Sequence, residues 1–173
     1  MLVEVKEAVL ADAEVISKLS AETFFETYAW YNTPENMREY TRIHFSVEQT
    51  KKDFATPNTH FFTAEFKDEV IGYAKLRVFE DLPELKNKKH IEIERIYVQK
   101  KHHDKKVGYA LIKKCIDFAR AKNYEVIWLG VWEQNLRALN FYLRVGFEKF
   151  STHIFQLGND AQKDHLLKLD LIK

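Results

Sequence analysis

The amino-acid sequence predicts one domain over residues 1–173 with a mixed α/β (α+β) fold, in which helices flank a single twisted sheet. The predicted order of helices, hairpin, strand, helix, strand, helix and strands favours a mixed sheet. The apolar strand at 91–98 passes through a basic turn directly into a helix, and residues 125–132 are almost continuously apolar, as in a strand buried on both faces. A chain of this length suits one domain, since domains commonly run to about 150 residues.

The N-terminal third is predicted to form a strand and then helices. Residues 3–8 alternate as a strand does, and Asp12 suits the N-cap of a first helix. The apolar positions of that helix recur at helical spacing: Val15, Ile16, Leu19, Phe24 and Tyr28. Thr33 and Pro34 begin a second helix, and Ser46 with Gln49 resembles the capping box of a third.

The sheet is predicted to begin with a hairpin. Residues 61–66 and 70–78 are β-like runs joined by a turn at Lys67-Asp68-Glu69. Residues 81–89 are polar and contain Pro83, so we expect a flexible excursion there. The remaining strands and helices are expected at residues 91–98, 106–122, 125–132, 135–145, 147–157 and 165–171.

The turn after residue 98 is the strongest candidate for a binding site. A strand that ends at a helix N-terminus leaves backbone N–H groups unpaired, and such groups bind phosphate. The turn is also rich in basic side chains: Lys100, Lys101, His102, His103, Lys105 and Lys106. A cofactor cradle, an ordinary basic turn and a nucleic-acid contact all fit this pattern. The net charge of +1 and the lack of a helix-turn-helix or zinc pattern argue against nucleic acid.

Composition excludes several other classes. Cys115 is the only cysteine, so an intrachain disulfide and a cysteine-rich zinc site are impossible. The histidines at 102, 103, 153 and 165 lack the spacing of a helical metal site, and no metal is expected. No stretch approaches the ~20 apolar residues of a membrane span. We therefore expect no membrane partner and a reducing, cytoplasmic location.

From residue 91 onward the chain resembles the GNAT superfamily of acetyl-CoA-dependent N-acetyltransferases. Its members carry, after a strand, Gln or Arg, two residues, Gly, one residue, and Gly or Ala at the start of a helix. The matching text is His103-Asp104-Lys105-Lys106-Val107-Gly108, with Lys106 at the usual first glycine and His103 at the Gln or Arg. Further matches follow in the family's order: Trp128 to Glu133, Asn135, Ala138, Phe141-Tyr142 and Gly146-Phe147.

The resemblance implies a mostly antiparallel sheet with a splayed parallel strand pair that holds the pantetheine arm of acetyl-CoA. It implies the following cofactor-binding residues: Ile96, Tyr97, Val98, His103, Asp104, Lys105, Lys106, Val107, Gly108, Tyr109, Asn135 and Tyr142. Lys106 can still offer its backbone N–H where glycine is usual, but only in a conformation that an L-residue tolerates.

More narrowly, the chain looks like the PaiA-type branch, which is named for polyamine acetyltransferases. The matches include residues 93–98 and 127–133 and then His153, Phe155, Leu157-Gly158, Gln162 and Asp164. A polyamine acceptor such as spermidine would need an acidic approach. Candidate acids are Glu26, Glu39, Glu80, Asp81, Glu84, Glu92 and Glu94.

Three residues are candidates for catalysis. Tyr142 matches a family tyrosine that protonates the departing thiolate, although a packed aromatic side chain fits the same pattern. Glu92 and Glu94 lie two apart on a strand, hence on one face, and could relay a proton from an ammonium. A salt-bridged strand face is the alternative for both, and a bulge would swap the faces.

The leading hypothesis is direct transfer of an acetyl group from acetyl-CoA to a primary amine. A CoA-binding or sensor module on the same scaffold, and acetylation of a peptide or amino-acid amine, remain alternatives. The aromatic N-terminal helices could line the acceptor site or bury the face of a homodimer: Phe24, Phe25, Tyr28, Trp30 and Tyr31.

Overall fold

The structure, a computed structural model, describes residues 2–78 and 82–172. These residues form seven strands and five α-helices, which confirms the mixed α/β class. In chain order they are β1 (Glu4–Glu7), α1 (Ala13–Tyr28), α2 (Pro34–His44), α3 (Val47–Ala55), β2 (Thr59–Phe66), β3 (Glu69–Arg77), β4 (His90–Val98), α4 (Val107–Ala121), β5 (Val126–Trp132), α5 (Leu136–Val145), β6 (Glu148–Leu157) and β7 (Asp160–Asp170).

All seven strands belong to one sheet in the order β1-β2-β3-β4-β5-β7-β6. Neighbours are antiparallel except β4 and β5, which run parallel. The parallel pairing covers only three residue pairs and ends at Glu92 opposite Trp128. Beyond that point the two strands separate, so the predicted splay is confirmed.

The helix starts follow the local sequence. The hydroxyls of Thr33 and Ser46 each accept the backbone N–H three residues further on, at 3.2 Å. Asp12 does precede α1, but its carboxylate accepts the N–H of Val9 at 2.8 Å instead of capping the helix. Val15, expected on the apolar face, is exposed. The predicted boundaries are thus right even where the capping contact differs.

Two loops differ from expectation. The hairpin turn contains only Lys67 and Asp68, both with positive φ as in a type I′ turn, and Glu69 already belongs to β3. The stretch before β4, expected to be flexible, contains a 3₁₀ turn whose Leu82 and Leu85 are buried against Trp128. Burial of apolar side chains outweighs the polar composition of this stretch. Residues 79–81 lie outside the described residues.

A β-bulge in β4 determines which residues face which side of the sheet. Lys75 pairs with Arg95 but Leu76 pairs with Ile93, so Glu94 is the extra residue. As a result the apolar residues of β4 all contribute to the core that includes α4: Ile91, Ile93, Ile96 and Val98. Plain alternation would have placed the last two on the opposite face.

Helix α4 covers that face of the sheet. Its apolar stripe is buried in the main core: Val107, Leu111, Ile112, Cys115, Ile116 and Ala119. Burial raises the pKa of the Cys115 thiol, which makes it unreactive. Within residues 2–78 and 82–172, no helix combines the length and apolar character needed to cross a membrane.

Candidate active site

A cavity of about 850 Å³ opens where β4 and β5 separate. Its walls come from the end of α1, the second half of both strands, the turn before α4, and α5. Most of the predicted site residues line it: Glu94, Ile96, Tyr97, Val98, His103, Asp104, Lys106, Gly108, Tyr109, Asn135 and Tyr142. Glu92, Lys105 and Val107 do not line it. The structure therefore brings together predicted site residues from β4, from the turn before α4, and from the starts of α4 and α5 and the body of α5.

Lys106 takes the backbone conformation that the usual glycine would provide. Its φ of 61° and ψ of 14° are left-handed, which costs an L-residue about 1–2 kcal/mol. The residue ends a 3₁₀ turn and begins α4, whose first N–H groups have no partner within the helix. Gly108, the second residue of α4, also lies in the cavity wall. Replacement of the usual glycine by Lys106 thus adds a side chain but leaves the backbone in a left-handed conformation.

The cavity wall near this turn is basic, as a phosphate site requires. Besides Arg95 on β4, the basic side chains in the wall are Lys100, His103, Lys106, Arg137 and Arg144. Arg137 and Arg144 were missed by the sequence reasoning. They are seven residues apart on α5, a spacing that places both on one helix face and could have revealed them.

Side-chain contacts hold the turn in place. His103 Nε2 lies 2.8 Å from the carbonyl oxygen of Val98, and Arg137 donates to Asp104 at 2.9 Å. Lys105 instead lies against His102, with Nζ 3.3 Å from Nδ1, and Val107 is fully buried in the core. Side chains of Lys105 and Val107 therefore face away from the cavity, and their expected contribution is reduced to backbone N–H groups.

Tyr142 occupies the middle of the cavity wall on α5. Its ring packs against Phe141 and Phe147, with centroids 5.2 and 5.9 Å away. Burial raises the pKa of Tyr142, so the hydroxyl stays protonated at neutral pH. Within the described residues it forms no hydrogen bond to another protein group. Tyr142 is thus a packed aromatic ring in the cavity wall, and its hydroxyl is protonated.

Asn135 caps α5, as expected from its position. Its Oδ1 accepts the N–H of Ala138 at 3.2 Å, and the residue also lines the cavity. The cap fixes the first turn of α5 and hence the position of Tyr142 two turns later.

Glu92 and Glu94 belong to an ion-pair network. Arg77 lies 2.6 Å from Glu92 and 3.1 Å from Glu94, and Lys75 lies 2.6 Å from both Glu94 and Asp53. The bulge therefore leaves both glutamates on the same side of the sheet. Burial raises the pKa of Glu92 despite Arg77. Burial also acts to raise the pKa of Glu94, but the positive charges of Arg95, Lys75 and Arg77 lower it below its usual value.

An aromatic wall stands on the other side of the cavity. Trp132 contacts Tyr28 and Tyr31, with ring centroids 5.8 and 4.9 Å apart. These rings join the end of α1 to β5 and offer π faces that attract cations. No group of three or more His, Cys, Asp or Glu side chains suited to a metal ion occurs in residues 2–78 and 82–172.

The separated strands β4 and β5, the turn that begins α4 and the buried Tyr142 surround one cavity. Residues 21–147 match the model of the Acetyltransferase (GNAT) family, and the chain belongs to that family. It is 36% identical over 171 residues to an "Uncharacterized N-acetyltransferase in pepI 3'region" of Lactobacillus delbrueckii subsp. lactis, covering 99% of this chain and 97% of the relative.

Two further relatives come from Thermoplasma acidophilum. Its spermidine N(1)-acetyltransferase is 23% identical over 152 residues, covering 86% of this chain and 89% of the relative. The crystal structure of its PaiA N-acetyltransferase in complex with coenzyme A superposes with a TM-score of 0.82 at 21% identity, covering 98% and 99% of the two chains. At that identity the second comparison shows a shared fold.

Proposed function

We propose that this enzyme transfers the acetyl group of acetyl-CoA directly to a primary amine. The observation that carries the proposal is the cavity between β4 and β5, which joins a basic helix N-terminus to a buried, protonated tyrosine. The coenzyme A bound to the PaiA structural neighbour supports the same cofactor here.

The residues present fit acetyl-CoA. The N–H groups at the start of α4 and the basic wall suit its phosphates, and the open edge of β4 at Ile96, Tyr97 and Val98 suits its amide-bearing arm. Asn135 would add a hydrogen bond near that arm. Acetyl-CoA supplies an activated thioester, so no covalent enzyme intermediate is needed, and positioning supplies much of the rate.

The chemistry assigns one task to each group. The neutral amine nitrogen attacks the thioester carbonyl, whose oxygen is polarised by backbone N–H groups near Ile96 and Val98. The nitrogen–carbon bond forms, the carbon–sulfur bond breaks, and the Tyr142 hydroxyl protonates the sulfur. The nitrogen then loses its remaining extra proton, which restores the hydroxyl of Tyr142 through water.

A polyamine such as spermidine is the acceptor that we propose. Support comes from the spermidine acetyltransferase relative and from the aromatic wall, which suits a cation. Of the acids expected to attract a polycation, Glu26 and Glu94 line the cavity. Glu39 pairs with Arg42 and Glu84 accepts from Ser151, both away from it. Glu80 and Asp81 lie outside the described residues.

We also propose a homodimer and a cytoplasmic location. Phe25 and Trp30 remain exposed while Phe24 is buried, which favours a homodimer face next to the acceptor side. The single, buried thiol of Cys115 is compatible with the cytoplasm as the place of action.

Thiol release from acetyl-CoA tests the proposal directly. The protein is incubated with polyamines, amino acids and peptides in turn, and spermidine is expected to give the fastest release. Release that no amine accelerates above background hydrolysis would overturn acetyl transfer. Calorimetric titration with CoA then separates the remaining cases, because binding without turnover identifies a CoA-binding or sensor module. A faster reaction with peptides or amino acids would reassign the acceptor.

A further inference from the structure

Asp164 lies next to the cavity, although the ion-pair network and the cofactor wall do not include it. It sits on β7 directly opposite Trp132 of β5, and its side chain is 14% exposed. Its Oδ2 atom is 3.3 Å from the place that a Cβ atom of Gly130 would occupy, and Gly130 is part of the cavity wall. A residue without a side chain thus separates the carboxylate from the cavity.

Asp164 differs from the other carboxylates on this face of the sheet whose side chains are at least largely buried. Asp53, Glu92 and Glu94 each have a Lys or Arg nitrogen at 2.6 Å. In the described part of the chain, Asp164 accepts no hydrogen bond, and its nearest ion-pair partner is the His153 ring, which carries a charge only when protonated and whose Nε2 lies 3.8 Å from Oδ2. A buried carboxylate without a close cation is poorly stabilised, so it gains from a cationic ligand.

The surroundings of Asp164 also suit proton transfer. Burial raises the pKa of Asp164 to about 6, and His153 only partly offsets it. A base works best when its pKa is near the pH at which it operates. Among the described residues, the titratable groups facing Asp164 are His153 on β6, Tyr28 on α1 and Tyr40 on α2, while β5 presents only Gly130 and Trp132.

We propose that Asp164, rather than Glu92 or Glu94, binds the acceptor ammonium and takes its proton. This rests on the proposed acetyl transfer to an amine. One N–H bond of the ammonium breaks, the electron pair stays on nitrogen, and the proton moves to an Asp164 carboxylate oxygen. The half-exposed His153 passes that proton to solvent. The rings of Tyr28, Tyr31 and Trp132 hold the cation until it is deprotonated.

The test is the pH dependence of kcat/KM for spermidine in the wild type and in Asp164→Asn. The wild-type value is expected to fall on the acid side with a midpoint near pH 6. Asp164→Asn should lose at least about 100-fold at pH 7 and should recover steadily as pH rises, because only amine that is already neutral then reacts. Affinity for CoA, measured by calorimetry, should be unchanged.

Asp170→Asn is the matched control. It removes the same charge from the same strand, where Asp170 pairs with Lys88 and Lys168 away from the cavity, and its pH profile should equal the wild type. A normal rate and an unchanged acid limb in Asp164→Asn would overturn the assignment of Asp164. A wild-type protein without amine-dependent thiol release would instead overturn the proposed function.

A second variant tests the same proposal if Asp164→Asn fails to fold. Gly130→Ala places a methyl group 3.3 Å from the Asp164 carboxylate and 3.4 Å from His153. It should raise KM for the amine severalfold and leave the affinity for CoA unchanged. Unchanged amine kinetics in this variant would also contradict a role for Asp164 at the cavity.

Discussion

The Nζ atom of Lys75 lies 2.6 Å from the Oδ2 atom of Asp53, in a buried ion pair that joins β3 to α3. The same ammonium lies 2.6 Å from Glu94, which lines the cavity. The Lys75 ammonium thereby connects β4, at its bulge, to α3 through the carboxylates of Glu94 and Asp53. The network therefore fixes this part of the cavity wall and lowers the pKa of Glu94, which holds its carboxylate in the ionised form.

Loss of Lys75 should destabilise the fold. Lys75→Met leaves Asp53 and Glu94 buried without their ammonium, and the free energy of unfolding should fall by about 3–5 kcal/mol. Urea denaturation measures the change. Lys101→Met, which removes an exposed partner of Glu69, is the control and should change stability little. Equal stability of the two variants would show that the buried network contributes nothing.

Removal of the Tyr142 hydroxyl should slow the chemical step and leave CoA binding almost unchanged. Tyr142→Phe keeps the packed ring but cannot protonate the departing sulfur, so kcat should fall by about 100-fold or more with little change in CoA affinity. Steady-state rates and calorimetry provide the two values. Tyr124→Phe makes the same change outside the cavity and should leave kcat unaltered. An unchanged kcat in Tyr142→Phe would remove this residue from the mechanism.

Substitutions at Lys106 separate its charge from its backbone conformation. Lys106→Ala and Lys106→Gly both remove the charge, and only the second removes the strain of the left-handed residue. If charge is what matters, both should weaken CoA binding by roughly fivefold, as expected for about 1 kcal/mol from one exposed charge. Calorimetry at low and high salt checks this. Tighter binding by the glycine variant than by the wild type would show that close approach of the backbone matters more.

The raised pKa of Asp164 also predicts how stability depends on pH. Because the folded state holds this proton more tightly than the unfolded state, stability from this group is present at low pH and is lost as pH rises towards and through about 6. Relative to the wild type, Asp164→Asn should therefore become more stable as pH increases from 4 to 7.

Asp170→Asn should show the opposite trend in the same denaturation series. Hydrogen bonds from Lys168 and Lys88 lower the pKa of Asp170, so its contribution is present at neutral pH and is lost as pH falls through the lowered value. Parallel curves for the wild type and Asp164→Asn across this range would contradict the environment inferred for Asp164.

Much of the fold and part of the site could be predicted from local sequence. Thr33, Ser46 and Asn135 accept backbone N–H groups within three residues, so their helix starts depend on nearby atoms alone. The buried strand β5 is visible as an unbroken apolar run, because burial on both faces removes alternation. The position of Tyr142 followed from the motif around it, although its catalytic role remains a prediction.

Other features depended on contacts between residues far apart in the chain. The bulge at Glu94 arises from the pairing of β4 with β3, and it decides which side chains of β4 meet the core. Arg77 and Lys75 reach Glu92 and Glu94 only across that pairing. The spacing of the two glutamates in the sequence therefore could not decide between a proton relay and a salt bridge.

Local periodicity, capping residues and motifs determined which segments form helices and strands, because those signals act over a few neighbouring residues. Only the tertiary structure decided that the Asp164 carboxylate lies behind Gly130 of the cavity wall, without a lysine or arginine partner among the described residues. Asp164 and Gly130 are brought together by the antiparallel register of β5 and β7, and solvent exclusion there raises the pKa of Asp164. Burial and register are properties of the assembled sheet, so the strand sequences alone do not contain them.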